Sequence, residues 1–111
     1  MVETKKSLGQ HWLHDADSLQ AMVTAADVQA GQTVLEIGPG TGTLTEYLLA
    51  AGAQVIALEF DQDLLKGLRD RFDGDANFTL VHGDIRTFNF TKLPTDYKVA
   101  ANIPYYLTSH L

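Results

Sequence analysis

The hydrophobic pattern changes period repeatedly along the chain. After a polar arm, Leu19, Met22, Val23 and Ala26 recur at helical spacing, with Asp15 or Asp17 placed to cap the helix and Gly31 to close it. Thr33 to Ile37 is a short apolar run ending at a glycine cluster, the pattern of a buried parallel strand. A second helix is expected from Thr41 or Thr43, with Leu44, Tyr47, Leu48 and Ala51 on one face and Gly52 at its end. Gln54 to Glu59 reads as a second strand. Asp61 then caps a helix carrying Leu64, Leu65, Leu68 and Phe72 on its inner side, and Gly74 ends it. Phe78 to Val81 and Lys98 to Ala101 are the third and fourth strands. The stretch from Ile85 to Tyr97, with Pro94 inside it, reads as loop with one turn of helix at most.

Strands alternating with helices of this length imply βαβ units and a parallel sheet, hence an α/β, doubly wound fold. Such sheets normally carry five or more strands. The sequence stops at Leu111 just as Thr108-Ser109 is placed to cap another helix, so a truncated sheet belonging to a larger protein is expected. An open edge beside the fourth strand would favour self-association of the isolated chain. Composition narrows the class further. At 111 residues, 45% hydrophobic and 20% charged, the chain suits one folded domain rather than a disordered segment. No apolar run approaches the ~20 residues of a membrane helix, and the arm before Leu13 has no signal-peptide core. With no cysteine there is no disulfide framework, thiolate nucleophile or zinc knuckle. A cytoplasmic protein without a membrane partner is expected. Eight basic against fourteen acidic residues give a net charge of −6, which is not the basic balance usual for nucleic-acid binding.

The chemistry gathers where strands end. Gly38-Pro39-Gly40-Thr41-Gly42 lies between the first strand and a helix, where glycines let a ligand approach the backbone and free N–H groups face it. The spacing is GxGxG, not the GxGxxG that cradles a dinucleotide pyrophosphate. Glu36, two residues before the first glycine, would repel a pyrophosphate but suits an ammonium or sulfonium group. A cationic, phosphate-free nucleoside fits this set better than NAD(H). Glu59 ends the second strand 21 positions after Gly38 (59 against 38), where a carboxylate can accept from both hydroxyls of a ribose. Asp84, after His82-Gly83, reaches the same edge and can accept from the exocyclic amine of adenine. Plainer readings of these residues are a tight turn at the glycines and at Gly83-Asp84, and a helix N-terminus at Glu59.

Asn102-Ile103-Pro104-Tyr105-Tyr106 follows the fourth strand. Pro104 stiffens the backbone and holds Ile103 extended. The Asn102 side-chain carbonyl and the Ile103 main-chain carbonyl can then act as two acceptors for one –NH₂ group, while Tyr105 offers a ring on which a flipped-out base stacks. Drawing both protons would turn the nitrogen lone pair toward an electrophile. A strand-end turn with two interfacial tyrosines is the alternative.

With these residues in view, the chain resembles the N-terminal part of the ribosomal RNA adenine dimethyltransferases. The blocks that carry the resemblance are Lys6-Ser7-Leu8-Gly9-Gln10-His11-Trp12-Leu13, the run from Val34 through Thr45, Ala57-Leu58-Glu59-Phe60-Asp61, and Asn102-Ile103-Pro104-Tyr105, with Gly83-Asp84 a weaker fifth. The resemblance implies a Rossmann-like methyltransferase sheet that binds S-adenosylmethionine and dimethylates adenines of small-subunit ribosomal RNA. It implies that Gln10, His11 and Leu13 touch the cofactor and that Gly38 and Gly40 lie along it, near Glu36. It also implies Glu59 on the ribose, Asp84 on the adenine, and Asn102, with Ile103 and Tyr105, on the target base beside the cofactor. Many relatives have Asn and Phe where His11 and Trp12 stand. The family also carries a C-terminal helical RNA-recognition domain and a further aromatic residue, neither within this chain, so the isolated chain is expected to be inactive. A large-subunit resistance methyltransferase and a non-catalytic ribosome or transcription factor remain as alternatives.

Overall fold

The computed structural model describes residues 16–101, and the fold within them is a four-stranded parallel sheet with helices against one face. In chain order the elements are α1 (Ala16–Ala25), β1 (Thr33–Ile37), α2 (Thr43–Ala50), β2 (Gln54–Glu59), α3 (Gln62–Arg71), β3 (Phe78–His82), a 3-10 turn (Phe90–Lys92) and β4 (Lys98–Ala101). The strand order is β3-β2-β1-β4, parallel throughout. Two successive right-handed crossovers, through α2 and α3, step the chain in one direction and so place both helices on the same face. The connection from β3 to β4 must then cross back over β2 and β1 on the opposite face.

Side-chain alternation divides the core accordingly. Val34, Val55 and Ala57 join Leu19, Val23, Leu44, Leu48 and Ala53 in the buried cluster under the helices. Each helix buries the leucines or valine at the centre of the stripe read from its spacing, Leu65 and Leu68 in α3, but Ala26 lies beyond α1 and is exposed. On the other face, register aligns Leu35 with Ile56 and Val99, and Ile56 with Thr79. The segment after β3 folds back over part of this face. Between it and Ile56, Leu58, Thr79 and Val81 lies a groove of about 430 Å³, lined also by Phe88 and Leu93. Phe88 packs edge-on to Phe90, with ring centroids 5.2 Å apart. Burial on both faces explains why the strands read as runs rather than alternations.

Two local expectations are corrected. Helix α1 ends at Ala25, well short of Gly31, and Asp27 takes the left-handed conformation (φ 53°) that closes it. A short polar side chain tolerates that conformation better than most. The Lys98 ammonium donates to the carbonyl of Asp27 at 2.8 Å and also to that of Ala26, placing a cation on the negative end of α1. Helix α2 starts at Thr43, one of the two positions read for it, and is entered through Gly42 (φ 96°). Strand β3 runs one residue further than read, to His82. Asp61 does cap α3, accepting from the Asp63 N–H at 2.9 Å.

Candidate functional site at the carboxyl edge of the sheet

Between β1 and β4 the strand order reverses, and parallel α/β sheets bind ligands in the crevice beyond such a point. The β1–α2 turn stands there. Gly38, Gly40 and Gly42 all have positive φ (67°, 63° and 96°), a conformation that strains any residue with a Cβ. Their surroundings differ. A Cβ on Gly38 or Gly40 would meet none of the described residues within 4 Å, so among these the two glycines present bare backbone. A Cβ on Gly42 would sit 2.6 Å from Cε2 of Phe72, so the turn is packed behind and open in front. The Gly38 N–H donates to the Leu58 carbonyl at 2.9 Å, joining the turn to the end of β2.

Glu59 is built into this turn. It is buried, its Oε1 accepts from the Gly40 N–H at 3.2 Å, and its Oε2 accepts from the Asp61 N–H at 2.8 Å. A carboxylate has about four acceptor positions, so two backbone bonds leave capacity for hydroxyl donors. Register pairs Glu59 with His82, and the Gly83 N–H donates to the Glu59 carbonyl at 3.0 Å, which brings Asp84 to the same edge. Asp84 lines the groove on the second face. Both of its oxygens accept from Arg86, at 3.1 and 3.0 Å to Nε. The hydrogen bond from that guanidinium holds the carboxyl below the usual range for an aspartate. Arg86 itself is largely exposed, so the pair is screened and opens at little cost.

Glu36 is the least expected member. Its side chain is fully buried and turned toward α2, where the buried Thr45 hydroxyl donates to Oε1. Its Oε2 has no partner among the described residues. Burial pushes the carboxyl up to about 7 from an ordinary 4.5; the Thr45 bond opposes this and the negative charge of Glu59 adds to it. Because the folded state holds this proton more tightly than the unfolded chain, the contribution of Glu36 to stability is full below about pH 4.5 and is lost as pH rises to about 7. Relative to Glu36→Gln, the full-length protein should lose about 2–3 kcal/mol of unfolding free energy between pH 5 and pH 8. Urea unfolding at the two pH values measures it, and parallel pH dependence in both proteins would refute the assignment.

Sequence reasoning passed over two residues at this edge. Phe60 is 68% exposed between Glu59 and Asp61, and its carbonyl lies 3.2 Å from His82 Nε2. An aromatic residue directly after the strand-terminal acid was the available signal. Arg86 gave none, since its pairing with Asp84 depends on how the turn after β3 folds. Gln10, His11, Leu13, Asn102, Ile103 and Tyr105 lie outside the described residues.

The arrangement tests what it can hold. Open glycine backbone and the strand-end carboxylates of Glu59 and Asp84 fit a ligand with hydroxyls and positive charge, and oppose a pyrophosphate. Comparison with known proteins agrees. The model of the ribosomal RNA adenine dimethylase family matches residues 1–111. A ribosomal RNA small subunit methyltransferase A from Thermosynechococcus vestitus is 45% identical over 111 residues, all of this chain and 41% of that protein. The chain thus spans about two fifths of that relative's length. Among solved structures, a dimethyladenosine transferase from Plasmodium falciparum is similar with a TM-score of 0.69 and 33% identity, over 83% of this chain and 33% of that one. The 23S rRNA methyltransferase ErmE gives 0.70 and 30%, over 80% and 36%.

Proposed function

The chain belongs to the ribosomal RNA adenine dimethylase family, and from that premise we propose that it forms the cofactor-binding part of an enzyme dimethylating adenines of small-subunit ribosomal RNA. The observation that carries this reading is the turn whose glycines are bare in front and whose edge holds the buried Glu59. S-adenosylmethionine is the methyl donor we assign to it, supplying an electrophilic methyl group when bound. Glu59 takes the ribose hydroxyls with its remaining acceptor positions. Asp84 releases Arg86 and accepts from the adenine amine, and Phe60 supplies an apolar wall for that ring. Glu36 sits behind the turn as an acid that a nearby positive charge would favour in its ionised form.

The acceptor half belongs to the segment after β4. Asn102 and the Ile103 carbonyl accept the two protons of the target amine, and Tyr105 stacks on the base. Gln10, His11 and Leu13 close the cofactor from the N-terminal arm. The chain's net charge of −6 leaves the grip on phosphates to the part of the protein beyond these residues, a helical RNA-recognition domain. The small subunit is favoured over the large because the relative at 45% identity carries that name, against 30% for the large-subunit enzyme. We place the enzyme in the cytoplasm, where ribosomal subunits are assembled.

The test is to incubate the full-length protein with labelled S-adenosylmethionine and undermethylated ribosomal subunits. Dimethyladenosine in small-subunit RNA is expected. Label in large-subunit RNA would instead support the resistance-type enzyme, and cofactor binding without transfer would support a non-catalytic factor.

A further inference from the structure

The glycine turn is held from behind by the end of α3. The Arg71 guanidinium donates from Nη1 to the Thr41 carbonyl at 2.6 Å, across thirty positions of sequence. Its Nη2 pairs with Glu46 in the first turn of α2. The next residue, Phe72, fills the space where Gly42 lacks a side chain. The Arg71 guanidinium carbon lies 5.5 Å from the Phe72 ring centroid, and that ring packs against Phe78 of β3 with centroids 4.7 Å apart. One pair of residues therefore ties the turn, the start of α2 and the edge of the sheet together. Both contacts reach Thr41 and Gly42, while Gly38 and Gly40 stay open in front.

We infer that Arg71, backed by Phe72, is a positioning residue that fixes the glycine turn in its ligand-receiving shape. The inference rests on the cofactor reading proposed above. Three glycines with positive φ give the free turn many alternative shapes, and a ligand that must select one of them loses affinity. An arginine suits the task because its planar fork reaches a carbonyl and a carboxylate at once; a lysine ammonium is a point charge and serves one. The ion pair alone is not the main element, since Arg71 and Glu46 are both substantially exposed and such pairs are screened. The bond to the Thr41 carbonyl acts on the turn itself.

Glu59 is fixed by the Asp61 N–H as well as by Gly40, and Asp84 lies outside the turn, so losing the turn's shape should cost the part of the ligand along Gly38 and Gly40 more than the adenosine. Calorimetry on the full-length protein, with S-adenosylhomocysteine and adenosine as probes, separates the two. Arg71→Ala is expected to weaken S-adenosylhomocysteine about fivefold or more and adenosine by less than about twofold. Arg71→Lys should give an intermediate loss, and Glu46→Gln a smaller one, because it spares the Thr41 bond. In turnover, the KM for the methyl donor should rise in Arg71→Lys while kcat at saturation holds. Equal losses for both probes would indicate general loosening and overturn the inference, as would unchanged affinity in a folded Arg71→Ala. If that variant fails to fold, wild-type affinity in Arg71→Lys overturns it equally. Absence of S-adenosylhomocysteine binding to the wild type would instead refute the cofactor reading.

Discussion

Replacing Asn102 with alanine in the full-length protein is expected to lower methyl transfer at least about a hundredfold and to change cofactor affinity far less. Asn102 is assigned to the acceptor amine, where its carbonyl positions the nitrogen and draws one of its protons. Interactions of that kind strengthen as the bond forms, so their loss appears in kcat rather than in ground-state binding. Aspartate at the same position would also accept a proton, but adds a charge beside the incoming base. It should recover only part of the rate. Single-turnover transfer to undermethylated small subunits, alongside calorimetry with S-adenosylhomocysteine, gives both quantities. Wild-type turnover in Asn102→Ala would show that the amine is held by other groups.

Removing the Glu59 carboxylate should have the second largest effect, on binding. Charge-assisted hydrogen bonds contribute about 1.5–3 kcal/mol each, so Glu59→Ala is expected to weaken the cofactor tenfold or more. The structure adds a consequence that the strand-end position alone did not announce. Glu59 also satisfies the N–H groups of Gly40 and Asp61, and alanine would leave these part-buried donors without their partner. A stability loss of about 1–3 kcal/mol should accompany the loss of affinity. Glu59→Gln retains the side-chain volume and one acceptor oxygen but turns an NH₂ donor toward the other backbone N–H, and should recover only part of the stability and little of the affinity. Calorimetry and thermal unfolding on the two variants separate these contributions. An unchanged dissociation constant in both would remove Glu59 from the ribose.

The strands and helices were legible because each depends on a local pattern. TVLEI and QVIALE read as buried strands and are β1 and β2, and the Leu64, Leu65, Leu68 spacing marks the inner face of α3. Parallel pairing followed from the alternation of the two kinds of element. The end of α1 was misread because Gly31 is a strong local signal for closing a helix. The closing conformation is instead carried by Asp27, whose neighbouring carbonyls are met by a lysine more than seventy positions away. No local pattern encodes that partner.

The same division runs through the site. Spacing alone implied that glycines, Glu59 and Asp84 would meet at one edge, since parallel strands of similar length all end there, and the residue types favoured a ligand with hydroxyls and positive charge. Tertiary structure decided which way each group faces. Glu36 looked like a ligand-facing acid from its place before the glycines; strand parity turns it toward α2, and burial against Thr45 raises its proton affinity. Whether a given glycine is bare or backed depends on what another element puts behind it, and it is Phe72 that distinguishes Gly42 from Gly38 and Gly40. Arg71 carries no motif, because its role is set by the crossing of α3 behind the turn rather than by its neighbours in sequence. A residue's type and position fix what chemistry it can offer, but only packing across the chain sets its direction, its partner and its charge.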